Sequence, residues 1–209
     1  MQEIENFEKA FYQDGFKLGM NAVNAGADKA ELFSAIQEMY TAIDGLNDSL
    51  SVLARQQGQS IECKVGCEWC CHQPVFALDY ELDYLKDYID NYFDDETKTE
   101  IKQKAERKQN KLGGLKDDAL LNAKSPCPLL NDGACVAYEA RPMACRIYLS
   151  SSIKSCLHFY NVPDDKNSYP ALLDLPMRLG RMMNEGFKSA LKMSGIVPEE
   201  FRIEEKLTV

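Results

Sequence analysis

The sequence predicts a mainly α protein: an N-terminal helical hairpin, a cysteine-cluster metal domain of short irregular or hairpin segments, and a C-terminal helix. Apolar residues recur at spacings of three and four over residues 4–22, 32–53 and 179–191, which is the period of a helix with one buried face. All eight cysteines fall between Cys63 and Cys156, with both histidines, His72 and His158, beside them. Residues 1–62 and 159–209 contain neither residue type. The division expected is therefore 1–60 for the hairpin, 61–165 for the metal domain and 166–209 for the last helix packing on it.

Ile4, Phe7, Phe11, Gly15, Leu18 and Ala22 share one face of the first helix, and Gly26 is a stop signal. Asp28 followed by Glu31 reads as a capping box opening the second helix. Leu32, Ile36, Met39, Ile43, Leu46, Leu50 and Leu53 then alternate four and three, a coiled-coil seam. The first helix is expected to cover that seam, with a dimerisation helix or protein partner as the alternative. Gln56-Gln57-Gly58-Gln59-Ser60 ends the helix and delivers the chain to Cys63.

Residues 74–78 read as a short extended segment. Asp79 is placed to cap a helix with Leu82, Leu85, Ile89 and Tyr92 on its buried face. Tyrosines 80, 84, 88 and 92 read as amphipathic packing. Residues 95–111, with only Ile101 and Ala105 apolar, read as a solvated helix ended at Gly113-Gly114, followed by a polar, mobile loop to Pro126. Asn131-Asp132-Gly133 between Leu129-Leu130 and Val136 has the form of a small hairpin offering Cys127 and Cys135. Pro142 suits the first turn of a short helix carrying Cys145. Residues 163–168 read as a linker. Asp174 is expected to cap a last helix bearing Leu179, Met182, Met183, Phe187, Ala190 and Leu191, stopped by Gly195 and Pro198.

The 209 residues suffice for one domain with a core, and 45% hydrophobic with 27% charged residues is ordinary for a globular chain. A formal charge of −9 argues against nucleic acid as a partner, because phosphate binding needs a basic surface. The acidic start lacks the basic and apolar regions of a signal peptide, and no run is long enough to cross a bilayer. These features point to the cytoplasm, without membrane attachment, where thiols stay reduced. Eight cysteines there read as metal ligands rather than disulfides.

Thiolates suit Zn²⁺ and iron–sulfur clusters, so the expected cofactor is zinc or iron, a [4Fe-4S] cluster included. The candidate ligands are Cys63, Cys67, Cys70, Cys71, Cys127, Cys135, Cys145 and Cys156. Cys63-x₃-Cys67-x₂-Cys70 lets one loop aim three sulfurs at a metal about 2.3 Å away. Cys71 should point the opposite way, to a second metal or as a bridge. Eight thiolates suffice for two four-cysteine sites or one bridged site. Closing the chain from Cys71 to Cys127 costs about 3.6 kcal/mol, against on the order of 10–16 kcal/mol returned by a structural thiolate site. The domain is therefore expected to need metal to fold. Lys64, Arg141 and Arg146 are placed to offset thiolate charge, and His72 and His158 are candidate ligands or hydrogen-bond donors.

Cys-x₃-Cys-x₂-Cys-Cys, then Cys127-Pro-x-Leu, Cys135-x-x-Tyr138-x-x-Arg141-Pro142-x-x-Cys145-Arg146 and a final Cys156 resembles the YkgJ-type cysteine-cluster family. The resemblance covers roughly residues 63–156 and implies zinc or iron chelation by the eight cysteines. A longer relative, the flagellin lysine N-methylase, carries a similar cluster. The alternative it implies is an iron–sulfur enzyme, either an S-adenosylmethionine-dependent methylase-like protein or a redox protein. Cys63-x₃-Cys67-x-Trp69-Cys70 is also similar to the radical S-adenosylmethionine signature, but the repeated βα pattern and Gly-Gly-Glu segment of those enzymes are absent. No phosphate loop, His-Glu-x-x-His or Gly-x-Ser-x-Gly occurs, so whether the chain is an enzyme stays open at this level.

Overall fold

The computed structural model describes residues 2–59, 61–165 and 167–208, without the side chains of Gln2 and Glu3. Ser60 of the expected helix-to-cluster connection and Lys166 of the expected linker lie outside the described residues.

The chain is mainly helical. α1 (Gln2–Asn24) and α2 (Lys29–Gln56) are joined by a tight turn in which Gly26 and Ala27 take positive φ. Asp28 caps α2 by accepting the Glu31 amide at 3.0 Å. α1 also lies along α8 (Asp174–Met193), and sequence explains how closely. A Cβ on Gly15 would overlap the Met183 carbonyl, and one on Gly186 the Tyr12 carbonyl. Glycines on facing helices let the two backbones touch.

The α2 seam is buried within the same chain at Ile36, Met39 and Ile43, where it meets Phe187 and Leu191 of α8. Towards its end the seam emerges, and Leu53 is 48% exposed. The first core is this three-helix contact, extended by Leu78, Tyr80, Met143 and Ile147.

The second core is built by α3 (Asp79–Tyr92), α4 (Asp95–Leu112) and α9 (Ile203–Leu207). Leu82, Leu85 and Ile89 of α3 meet Ile101 and Ala105 of α4 and Ile203 and Leu207 of α9. α3 belongs to both cores, because Tyr80 faces the first and Leu82 the second. β1 (Phe76–Leu78) pairs antiparallel with β4 (Glu200–Arg202), tying the chain end to the segment after the first cysteines. Neither β4 nor α9 has enough residues to show a period.

Several local expectations are corrected. α3 and α8 are capped by Leu78 and Leu173, with Asp79 and Asp174 the first helical residues. The α3 end is closed by Glu81, which takes the Leu78 amide at 3.2 Å. α4 is not solvated all round: Ile101, Ala105, Lys108 and Leu112 make a buried stripe at helical spacing. The loop to Pro126 contains a short helix, α5 (Asp117–Asn122). Tyr92 is 72% exposed instead of buried, since it follows the last core turn of α3.

Candidate metal centre

The first cysteines enter on a loop turned by Gly66, whose φ of +89° favours glycine. Cys67 closes that turn by donating its amide to Lys64 O at 3.0 Å. A 3₁₀ turn over Trp69–His72 then presents Cys70 and Cys71. The second group rides on the expected hairpin. β2 (Leu130–Asn131) pairs with β3 (Ala134–Cys135), with Asp132 and Gly133 at positive φ as a type I′ turn demands. Cys145 sits on the expected short helix, α6 (Met143–Arg146), with Pro142 as its N-cap and not in its first turn. Cys156 sits on α7 (Ile153–Asn161), a helix within what read as irregular chain.

Main-chain bonds join the two loops. Cys127 donates to Cys71 O at 2.7 Å, Ser125 to His72 O at 2.8 Å, and Cys63 to Ser150 O at 3.2 Å. A cavity of about 330 Å³ results, and Cys63, Cys67, Cys70, Cys71, Cys127, Cys135 and Cys145 all line it. Cys156 is buried outside the lining. Val75, Phe76, Leu129, Tyr148 and Ile203 supply apolar wall, so the sulfurs face a poorly hydrated space.

All eight cysteines are free thiols. Burial pushes the Cys127 thiol up to about 12 and Cys135 up to about 11, and holds Cys145 well above the usual thiol range. Cys63 and Cys67 are raised for the same reason. Cys70 and Cys71 share a hydrogen bond that drives Cys70 up and Cys71 down. A divalent cation that binds here displaces the protons of the protonated thiols it uses.

The fit to a metal rests on this donor chemistry. Seven soft sulfurs converge on one apolar-walled space, and such a donor set suits zinc or iron. Among the described residues, no three His, Cys, Asp or Glu side chains stand in a finished ligand geometry.

Arg146 is only 2% exposed and lines the cavity. Its guanidinium is used by Asp44, Glu139 O and Arg141 O and lies 4.0 Å from the Tyr40 ring centre. Arg141 lines the cavity, stacks on Tyr138 and pairs with Asp44 at 3.0 Å. Its charge favours the thiolates of Cys135 and Cys145. Lys64 lies at the exposed rim.

Lys108 was not among the candidates, yet it is buried with its ammonium on Gln73 O at 3.1 Å and favours the thiolates of Cys71 and Cys127. Its signal was its place on the Ile101–Ala105–Leu112 stripe. The histidines do not line the cavity. His72 Nδ1 meets Glu68 O at 3.1 Å with its ring against Tyr160, and exposed His158 faces Asp165 at 3.8 Å.

Glu81 is the other residue that sequence reading passed over. Fully buried on α3, it accepts from the Met143 amide at 2.7 Å, the Tyr40 hydroxyl at 3.0 Å and Asn184 Nδ2 at 3.3 Å, besides Leu78. One carboxylate thus fixes the start of the Cys145 helix to α2, α3 and α8.

Residues 62–167 match the model of the CxxCxxCC family, described as a "putative zinc- or iron-chelating domain". No curated protein and no solved structure matches the chain.

Proposed function

The chain belongs to the CxxCxxCC family, and we propose that it binds zinc or iron through Cys63, Cys67, Cys70, Cys71, Cys127, Cys135, Cys145 and Cys156 in a reducing compartment, the cytoplasm. The observation that carries this reading is the convergence of seven of these thiols on one cavity from two loops about 56 residues apart, with the eighth buried outside its lining. Bound metal supplies the cross-link that covalent chemistry does not. It turns buried thiols into ligands and locks the 3₁₀ turn, the hairpin, α6 and α7 together. Lys108 and Arg141 approach from different sides and offset the negative charge that several thiolates bring.

The test is metal analysis with a visible spectrum on protein purified without air, beside thiol titration with a disulfide reagent. Stoichiometric zinc or iron is expected, with thiols that react only after chelation. Zinc leaves the protein colourless, whereas iron with inorganic sulfide gives a brown band and identifies the cluster type. Folded protein that stays metal-free in supplemented medium, with eight freely reactive thiols, would overturn the proposal.

A further inference from the structure

Building on the proposed chelation, we infer that the eight cysteines form two unequal four-thiolate centres: an inner one of Cys71, Cys127, Cys135 and Cys145, and an outer one of Cys63, Cys67, Cys70 and Cys156.

The main chain sorts them this way. Cys71 is bonded directly to Cys127 through its carbonyl, and Cys127 leads into the hairpin whose register pairs Leu130 with Cys135. Cys127, Cys135 and Cys145 all pack against the second hydrophobic core. Their three supports are a hairpin, a helix start held by Glu81, and a 3₁₀ turn.

The outer set is stitched differently. Cys63 bonds to Ser150, two residues before the α7 cap, and Glu62 accepts the Ile153 amide at 2.7 Å at the start of that helix. Tyr160, four residues beyond Cys156 and so on the same helix face, packs on Trp69 and His72 at ring distances of 5.2 and 5.0 Å. That contact turns the Cys156 face of α7 toward the Cys67–Cys70 stretch. Cys70 and Cys71, adjacent in the chain, stand where the two sets meet.

The two sets differ in what surrounds them, although Cys156 of the outer set is itself buried. Residues 64–66 of the outer loop are open to solvent, with Val65 65% exposed, while the inner cysteines are backed by Leu129, Ala137 and Ala140. Each centre takes one divalent ion and releases a proton from every protonated thiol it uses. Inner metal holds the fold. Outer metal exchanges with solvent.

Cobalt(II) titration of metal-free protein, under reductant and without oxygen, reads the count through tetrahedral thiolate absorption. Saturation at two equivalents is expected for the natural chain. Cys67→Ser and Cys156→Ser should each saturate at one equivalent with unchanged far-ultraviolet circular dichroism. The double variant should match either single one, because both residues serve the same ion.

Release of two zinc ions to a chromogenic chelator should be biphasic, one fast and one slow, a readout that needs no variant. Saturation at one equivalent, loss of both ions in Cys67→Ser, a double variant that binds less than the singles, or single-phase release of both ions would each overturn the division. Failure of the natural chain to bind cobalt or zinc at all would instead sink the chelation reading on which the division rests.

Discussion

A buried carboxylate and a buried ammonium carry the least visible part of the design. Glu81 takes four donors on two oxygens, so Glu81→Gln replaces one acceptor by an amide that can accept nothing. Loss of about 1–3 kcal/mol is expected in urea unfolding, from donors left unpaired in the core. Lys108→Met keeps the apolar stem on the α4 stripe and removes the charge. Metal affinity should fall by roughly 10–100-fold, measured by chelator competition, with circular dichroism unchanged. The thiols themselves set a pH dependence. Burial raises Cys63, Cys67, Cys127, Cys135 and Cys145 above the usual 9.0, with Cys135 at about 11 and Cys127 at about 12, so these five are protonated at neutral pH. Each must shed its proton to bind, so affinity should rise with pH from 6 to 9. Proton release in weak buffer at pH 7 should approach four per bound ion, and release near zero would show ionised thiols instead.

Among the elements, the α1–α8 contact and the chain end are the most sensitive. Gly186→Ala would drive a methyl into the Tyr12 carbonyl, backbone against backbone, with no side chain to yield. A loss of about 1–3 kcal/mol is expected by thermal unfolding, whereas Gly45→Ala, which meets nothing within 4 Å on α2, should be neutral or slightly stabilising. Glycine placement on a helix says that something comes close. It does not say which helix, and the pairing of Gly15 and Gly186 had to come from the fold. α4 makes the same point with charge, because a lysine on an apolar stripe looks like a break in the pattern until its ammonium is found on Gln73 O.

Across the whole molecule, the two cores differ in their dependence on metal. The first, made by α1, α2 and α8, contains no cysteine. The second has Cys127, Cys135 and Cys145 packed on it, and its hairpin and α6 are too short to be stable alone. Stripping the metal with an external chelator should therefore raise hydrogen exchange in residues 63–72, 127–146 and 153–161 while α1, α2 and α8 keep most of their protection. Uniform loss of protection would mean that the two cores unfold as one.

Helix class, the cysteine inventory, the Asn131–Gly133 turn and the short helix after Pro142 were all determined by sequence, because each rests on local period, turn chemistry or residue type. Tertiary structure alone decided that α1 lies on α8, that β4 pairs with β1, that α7 carries Cys156, and that Lys108 and Glu81 serve the site while His72 and His158 turn away. The physical reason is that these contacts join residues far apart in the chain. They are chosen by burial and by the pairing of polar groups, and neither leaves a period in the sequence.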